Sequence, residues 1–359
     1  MPNVERKKAR LCFVGPMVAR HPGHVTTQGE ILAGLFRSSG YSVISVSDCR
    51  NRYMRLLDII FTLFRRCRSV DIQCLQVFGG PSFVVEDVAS WIARLFNQRI
   101  VMFMRGGAMP EFMARHPRWS RRVLKRADVI VAPSEYLARA IAKYGFRAEV
   151  IPNVIDISEY NYQHRKTARP KLLWMRAFQP IYNPEMAIRV VAQLRNVEPD
   201  AELAMGGQDK GFEVDVKQRA KKLGLNGSVR FTGFLNLQGK LHEASAADIF
   251  INTNHIDNTP VGVIEACAMG LPVVTTAVGG ISDLLTHGET ALLVPDDDDE
   301  AMVKAIRRLV ADPELVSRLS VNGRRLAERS SWQRVKPQLE KLFEQLMLNH
   351  RATYAVEKL

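Results

Sequence analysis

The 359-residue sequence is 47 % hydrophobic and carries a net charge of +13, with 50 Lys and Arg against 37 Asp and Glu. This length exceeds what one hydrophobic core normally holds, so we expect two domains. No apolar run is long enough for a membrane-spanning helix, and the basic segment Met1–Arg10 lacks the apolar stretch of a secretory signal. Five scattered cysteines without a C-x-x-C pair favour reduced thiols and a cytoplasmic protein over a disulfide framework.

Apolar, β-branched strands alternate with helical patterns through the first half, as in a parallel sheet covered by helices on both faces. The predicted strands are Leu11–Gly15, Tyr41–Val46, Asp71–Val77, Ile100–Met104, Val129–Ala132 and Glu149–Ile151. The predicted helices include Gln28–Arg37, Tyr53–Arg66, Val84–Phe96 and Glu135–Lys143. The polar stretch Asn161–Pro170 is predicted to be a linker.

The same alternation restarts after this stretch. The predicted strands are Leu172–Met175, Ala201–Met205, Val229–Thr232, Ile249–Asn252, Pro272–Thr275 and Ala291–Val294, and the last helices are Asp299–Val310, Glu314–Arg329 and Trp332–His350. We therefore expect an α/β protein with two Rossmann-like βαβ domains, residues 1–163 and 171–335, facing a cleft. A C-terminal helix, residues 336–359, is expected to cross back to the first domain. Ligands bind beyond the carboxyl ends of such strands, so the cleft is the expected site.

The positive charge lies mostly in the first domain. Residues 1–160 hold 24 basic against 13 acidic residues, and the remainder holds 26 against 24. Two stretches, Tyr53–Arg68 and Arg115–Arg126, combine apolar residues with arginines, and each alone indicates a core-facing helix with a basic solvent face. Together with the charge of this half, they leave open a weak peripheral association with an anionic membrane surface. No basic–aromatic module predicts nucleic-acid binding.

The most informative stretch runs from Ile249 to Pro295. Asp257 lies in a predicted loop, Thr259 is a good helix N-cap, Pro260 suits the first helical position, and Glu265 lies in the helix. Both carboxylates can face a ligand at the helix N-terminus, where the N–H groups and the helix dipole suit a phosphate. Carboxylates there would accept hydrogen bonds from sugar or ribose hydroxyls. The plainer alternative is an ordinary βα unit with a surface glutamate.

This stretch resembles the donor-binding signature of the family-4 retaining glycosyltransferases of the two-domain GT-B type. That signature has an acidic residue, seven others, a Glu-Ala helix, Gly-x-Pro-Val-Val and a Gly-Gly pair. The matching residues are Asp257, Glu265–Ala266, Gly270–Val274 and Gly279–Gly280. Further similar segments are Ala127–Ser134, Ile151–Asp156 with Val154 in place of a glycine, Gly206–Gly207 and Phe231–Phe234.

The resemblance implies transfer of a sugar from a nucleoside-diphosphate sugar to a saccharide or lipid-linked acceptor, with retention, as in polysaccharide and cell-envelope synthesis. No cofactor and no metal ion are implied. Glu265 would hold the ribose, Asp257 the sugar hydroxyls, and Arg176 the diphosphate, with Arg105 adding positive charge. The other expected donor-binding residues are Gly23, Gly206, Gly233, Phe234, Thr259, Val261 and Gly262.

Three departures from the family pattern leave two rivals open. Asp257 stands where the family usually has Glu, Ile181–Asn183 occupies the region of a lysine that binds the diphosphate, and Arg105 replaces a frequent histidine. A non-catalytic binding protein of the same fold is one rival, and a nucleotide-sugar epimerase is the other.

Overall fold

The computed structural model describes residues 8–21 and 23–356, with side chains through residue 348. The chain forms two compact units. The first unit comprises Met1–Val154 and Trp332–Leu359, and the second unit comprises Ile155–Ser331. Residues 1–7, which belong to the basic segment Met1–Arg10, lie outside the described residues.

The first unit contains a sheet whose described strands are all parallel. These strands are β1 (Leu11–Val14), β2 (Val43–Val46), β3 (Ile72–Val77), β4 (Arg99–Met104), β5 (Val129–Ala132) and β6 (Glu149–Val150), in the order β2-β1-β3-β4-β5-β6. The helices that connect them are α1 (Gln28–Ser38), α2 (Arg52–Arg65), α3 (Phe83–Leu95), α4 (Met109–Arg115), α5 (Pro117–Leu124) and α6 (Glu135–Ala142). Every residue of β3 is buried, because helices cover both faces of the sheet.

The second unit repeats this plan. Its described strands are β7 (Lys171–Met175), β8 (Glu202–Gly206), β9 (Val229–Gly233), β10 (Ile249–Asn252), β11 (Val273–Thr276) and β12 (Leu292–Val294), again parallel, in the order β12-β11-β10-β7-β8-β9. Its helices are α7 (Pro184–Leu194), α8 (Glu213–Lys222), α9 (Leu237–Ala246), α10 (Val261–Ala268), α11 (Ile281–Leu284), α12 (Asp299–Ala311) and α13 (Pro313–Arg329). The chain runs outward from β7 through β8 and β9, then returns to the other side of β7 with β10. This reversal is a topological switch point, where open parallel sheets bind ligands.

The last helix, α14 (Trp332–Val356), packs in the core of the first unit. The ring of Phe36 lies 4.9 Å from Trp332 and 5.3 Å from Phe343, measured between centroids. The expected return of the C-terminal helix to the first unit is confirmed, although this helix begins at residue 332 rather than 336.

The boundary between the units differs from the predicted linker, because residues 161–170 belong to the second unit. Arg165 is buried there, and its guanidinium donates to the carbonyls of Ala244 and Ala247 at 2.7 and 3.2 Å. These carbonyls lie at the C-terminal end of α9, where four C=O groups lack helical partners. A polar stretch can therefore be structural when its arginine satisfies a helix end.

The predicted basic helix at residues 115–126 is shorter in the structure: Arg115 ends α4, and α5 covers 117–124. Pro117 begins α5, because a proline suits the first turn of a helix but not its interior. None of the described helices is both long enough and apolar enough to cross a lipid bilayer.

Candidate functional site

An ion pair lies at the switch point of the second sheet. Arg176 directly follows β7, and Asp257 lies in the loop after the neighbouring strand β10. The Nη2 group of Arg176 donates to Oδ2 of Asp257, and both side chains are largely buried. These two residues are 81 positions apart in the chain. They were predicted to belong to one site, and the structure brings them together.

Neighbouring groups hold this pair in place. The Arg176 guanidinium lies over the ring of Tyr182, 3.9 Å from its centroid. Asp257 also accepts hydrogen bonds of 2.7 Å from the Asn254 side chain and from the Asn258 backbone N–H. Two buried atoms, Nε of Arg176 and Oδ1 of Asn254, make no hydrogen bond with the protein. Most buried polar groups are paired, so these two are unused capacity beside the ion pair.

Two glycines, Gly279 and Gly280, allow the Asp257 loop to pack closely against them. A Cβ atom on Gly279 would approach the Asp257 carbonyl oxygen to 2.0 Å, and one on Gly280 would approach that of Asn258 to 2.3 Å. The Gly280 N–H donates to the Asp257 carbonyl at 2.9 Å. Any side chain at either position would push the carboxylate away from Arg176.

The ends of β7, β8 and β9 are joined by backbone hydrogen bonds. Arg176 N–H donates to Gly206 O at 3.1 Å, and Gly207 N–H donates to Gly233 O at 2.8 Å. A Cβ on Gly207 would overlap the Arg176 carbonyl at 1.8 Å, so this close approach requires glycine. Phe234, which follows β9, is 39 % exposed. The predicted residues Gly206, Gly233 and Phe234 therefore lie at the same sheet edge as Arg176.

The helix after Asp257 begins one residue later than predicted. Val261 is its first residue and Pro260 is the N-cap, so the prediction of a Thr259 N-cap is wrong. Pro260 has an extended ψ of 115°, which fits the residue before a helix, and its side chain makes no cap hydrogen bond. A Cβ on Gly262 would lie 3.2 Å from the Met175 carbonyl, so this uncapped helix start lies against the end of β7, next to Arg176.

Glu265 belongs to a second, more deeply buried group. Its two carboxylate oxygens accept hydrogen bonds of 2.7 and 2.8 Å from the Lys240 ammonium, and Oε1 accepts another of 2.9 Å from the Tyr160 hydroxyl. Burial and the Glu265 carboxylate raise the pKa of Tyr160, so this hydroxyl stays protonated and donates. Among the described residues, no hydrogen bond joins this group to the Arg176–Asp257 pair.

The other two predicted residues, Arg105 and Gly23, lie in the first unit. Arg105 follows β4 and is buried, with hydrogen bonds of 3.0 Å to Gln76 and 2.6 Å to Asn153. No carboxylate of a described residue pairs with it, and burial lowers the pKa of its guanidinium because desolvation disfavours the charged form. Nε2 of Gln76 is also buried without a partner. Gly23 has a φ of +76° and no atom near its missing Cβ, as in an open loop.

Four residues of these groups were not predicted from the sequence: Tyr182, Asn254, Lys240 and Tyr160. Tyr182 and Asn254 lie inside segments that carry sequence motifs. Their short separation in sequence from Arg176 and Asp257 was the signal that could have found them. Lys240 and Tyr160 contact Glu265 from 25 and 105 residues away in sequence, and no local pattern indicates either contact.

Two family models match the chain. Residues 156–326 match the model described as glycosyl transferases group 1, and residues 42–159 match glycosyltransferase family 4. Among curated proteins, D-inositol 3-phosphate glycosyltransferase of Nocardioides sp. is 27 % identical over 59 % of this chain and 52 % of its own length. The lipopolysaccharide core biosynthesis mannosyltransferase LpsB of Rhizobium meliloti is 28 % identical over 58 % of this chain and 63 % of its own. The chain thus spans about half to three fifths of these relatives.

Solved structures share the fold over nearly the whole chain. Anabaena Alr3699/HepE, solved in complex with UDP and glucose, has a TM-score of 0.75 at 16 % identity, covering 94 % of this chain and 100 % of its own. Sucrose-phosphate synthase from Thermosynechococcus elongatus has a TM-score of 0.78 at 16 % identity, covering 95 % and 100 %. These likenesses confirm the expected GT-B fold.

The Glu265 group generates a stability prediction. Lys240→Met leaves a buried carboxylate without its cation, so we expect the free energy of unfolding to fall by about 1–3 kcal/mol. Urea denaturation measures this loss, and Lys221→Met on the exposed face of α8 is the matched control. Adding Glu265→Gln to Lys240→Met should recover part of it. Equal stability of Lys240→Met and the wild type would show that the pair contributes nothing.

Proposed function

We propose that this chain, which belongs to the group 1, family 4 glycosyltransferases, transfers a sugar from a nucleoside-diphosphate sugar to an acceptor hydroxyl with retention at the anomeric carbon. The acceptor is a saccharide or a lipid-linked molecule. The observation that carries the proposal is the Arg176–Asp257 pair at the switch point, beside the uncapped start of α10. Relatives named as a mannosyltransferase and as D-inositol 3-phosphate glycosyltransferases support the reaction class, and fold neighbours solved with UDP or UDP-glucose support the donor class.

The diphosphate is the group that most needs positive charge. The bond between the anomeric carbon and the diphosphate oxygen breaks, and the leaving diphosphate takes the electron pair. The acceptor oxygen bonds to the carbon, and its proton passes to the leaving diphosphate or to water. Arg176 and the N–H groups of Val261 and Gly262 at the start of α10 would stabilise that negative charge. Gly207 supports this role, because only a glycine at this position can lie against the Arg176 carbonyl.

Glu265 would hold the ribose of the donor. Its carboxylate can accept about four hydrogen bonds, and three of these come from Lys240 and Tyr160 in this structure. A ribose hydroxyl would therefore take the remaining site or replace part of the Lys240 contact. Lys240 lies on α9 and pairs with Glu265. It does not occupy the segment after Arg176, where the family has its lysine.

Asp257 would bind the hydroxyls of the transferred sugar. It is shorter than the glutamate usual at this position, and it already pairs with Arg176. The pairing supports a joint role, since a diphosphate that engages Arg176 frees Asp257 to accept from sugar hydroxyls. Thr259 and Phe234 stay predicted donor contacts, as do Gly23 and Arg105 of the first unit. For Arg105, a buried guanidinium without a carboxylate partner among the described residues supports contact with an anionic group.

Arginine variants test the diphosphate site. We expect Arg176→Gln to weaken nucleoside diphosphate binding by about 1.5–3 kcal/mol, because a charge-assisted hydrogen bond is lost. Arg105→Gln is expected to weaken it as well. Calorimetric titration of the folded variants measures the affinities. Arg169→Gln is the matched control, since Arg169 pairs with Asp248 at the opposite ends of the same two strands, β7 and β10. An unchanged affinity in Arg176→Gln would remove this residue from the site.

The two carboxylates should separate by ligand. Glu265→Gln is expected to weaken both the free nucleotide and the nucleotide sugar, whereas Asp257→Asn should leave free nucleotide binding nearly intact and reduce turnover. Titrations with both ligands and an assay of sugar transfer measure the difference, with Asp248→Asn as control. If both variants bind and turn over like the wild type, the proposed donor site is wrong. Product formed from the nucleotide sugar without any acceptor would instead indicate an epimerase.

We expect transfer without a metal ion. Among the described residues, no three His, Cys, Asp or Glu side chains converge as ligands. The positive charge for the leaving group would come from Arg176 and the start of α10 instead. Turnover is therefore expected to persist in EDTA. Complete loss in EDTA, restored by a divalent cation, would contradict this expectation.

A further inference from the structure

Helix α2 exposes large apolar side chains to solvent. Ile59 and Leu63 on one side are buried in the core of the first unit. The opposite side is not the basic face expected from the sequence. It carries five apolar or aromatic residues that are 42–65 % exposed: Tyr53, Met54, Leu57, Phe61 and Phe64. Their spacing places all five on one face of the helix.

Helix α3, which packs against α2, exposes a second apolar stripe. Val84, Trp91 and Leu95 follow the helical repeat of seven and four residues and are 41, 54 and 56 % exposed. Phe96 at the end of α3 lies 5.6 Å from Phe64 of α2, between ring centroids, and joins the two stripes. We call these nine residues of α2 and α3 the apolar surface. Large apolar patches on the surface of soluble monomers usually mark a binding site.

The margin of the apolar surface is strongly basic. Residues 50–69 contain six arginines and one aspartate. Five of these arginines are exposed and form no ion pair with a described residue: Arg50, Arg52, Arg65, Arg66 and Arg68. The acidic Asp87 of α3 is already neutralised by Arg122 and Arg126, at 2.5 and 2.7 Å.

We propose that the apolar surface docks on an anionic lipid bilayer, with its apolar side chains among the acyl chains and the marginal arginines on lipid phosphates. Exposed apolar side chains on a helix with unpaired arginines are the arrangement of helices that lie in a membrane interface. Anionic headgroups provide the negative charge that five unpaired arginines require. A second copy of this chain is the poorer occupant, because a two-fold contact would bring these arginines against one another. The docking does not depend on the proposed sugar transfer.

Vesicle sedimentation of the full chain tests the proposal without any activity assay. Vesicles of phosphatidylcholine mixed with phosphatidylglycerol should bind the protein, and vesicles of phosphatidylcholine alone should bind it much less. Binding should weaken as salt rises, because the arginine–headgroup attraction is screened. We expect Leu57→Ser with Phe61→Ser to weaken binding about tenfold or more, since two apolar side chains lose their lipid contacts. The matched control is Val214→Ser on α8, which is 62 % exposed outside the apolar surface.

The arginines are tested separately. Arg65→Gln with Arg66→Gln should weaken binding about 25-fold, because each basic residue near an anionic surface contributes about fivefold. The control is Arg307→Gln with Arg308→Gln, two exposed arginines of α12. Thermal melting should be unchanged in all variants. Wild-type protein that stays in solution with both vesicle types, or Leu57→Ser with Phe61→Ser binding like the wild type, overturns the proposal. A dimer in analytical centrifugation that this double variant abolishes, without vesicle binding, would assign the apolar surface to a second copy.

Discussion

The ion pair between Arg176 and Asp257 is the contact on which the organisation of the second unit's site depends. It joins the ends of the two strands between which the strand order reverses, where the sheet leaves room for a ligand. Two glycines give the backbone around the pair the space it needs: Gly207 lies against the Arg176 carbonyl, and Gly279 lies against the Asp257 carbonyl. A largely buried ion pair costs desolvation and contributes little net stability, so its presence at the switch point fits a binding role better than a structural one.

Glu265 differs from Asp257 because a lysine and a tyrosine hold its carboxylate. Its carboxylate is held by Lys240 and Tyr160, so its charge is compensated before any ligand arrives. A preorganised carboxylate loses little conformational freedom on binding, which favours affinity. On the proposed role of Glu265, a ribose hydroxyl would have to share the carboxylate with Lys240. The same lysine would then stabilise the unliganded unit and limit how tightly a nucleotide binds.

Strand positions were predictable because a parallel sheet covered on both faces needs continuous apolar runs, and Val129–Ala132 and Ile249–Asn252 have the predicted bounds. The family resemblance likewise assigned Asp257 and Arg176 to one donor site, and the structure pairs them. Contacts made by long polar side chains were not predictable: Arg165 closes a helix end and Lys240 reaches Glu265, and neither leaves a periodic signal. Helix α2 shows a second limit, because it is apolar on more than one side, and only the packed structure tells which side is buried.

The central claim is that the switch point of the second sheet binds the diphosphate of a nucleotide donor. A crystal structure of the full chain soaked with a nucleoside diphosphate tests it most directly. The account predicts phosphate oxygens within hydrogen-bond distance of the Arg176 guanidinium and the backbone at the start of α10, with the ribose hydroxyls on Glu265. A nucleotide bound elsewhere, with the Arg176–Asp257 pair unchanged and without ligand contact, would contradict it.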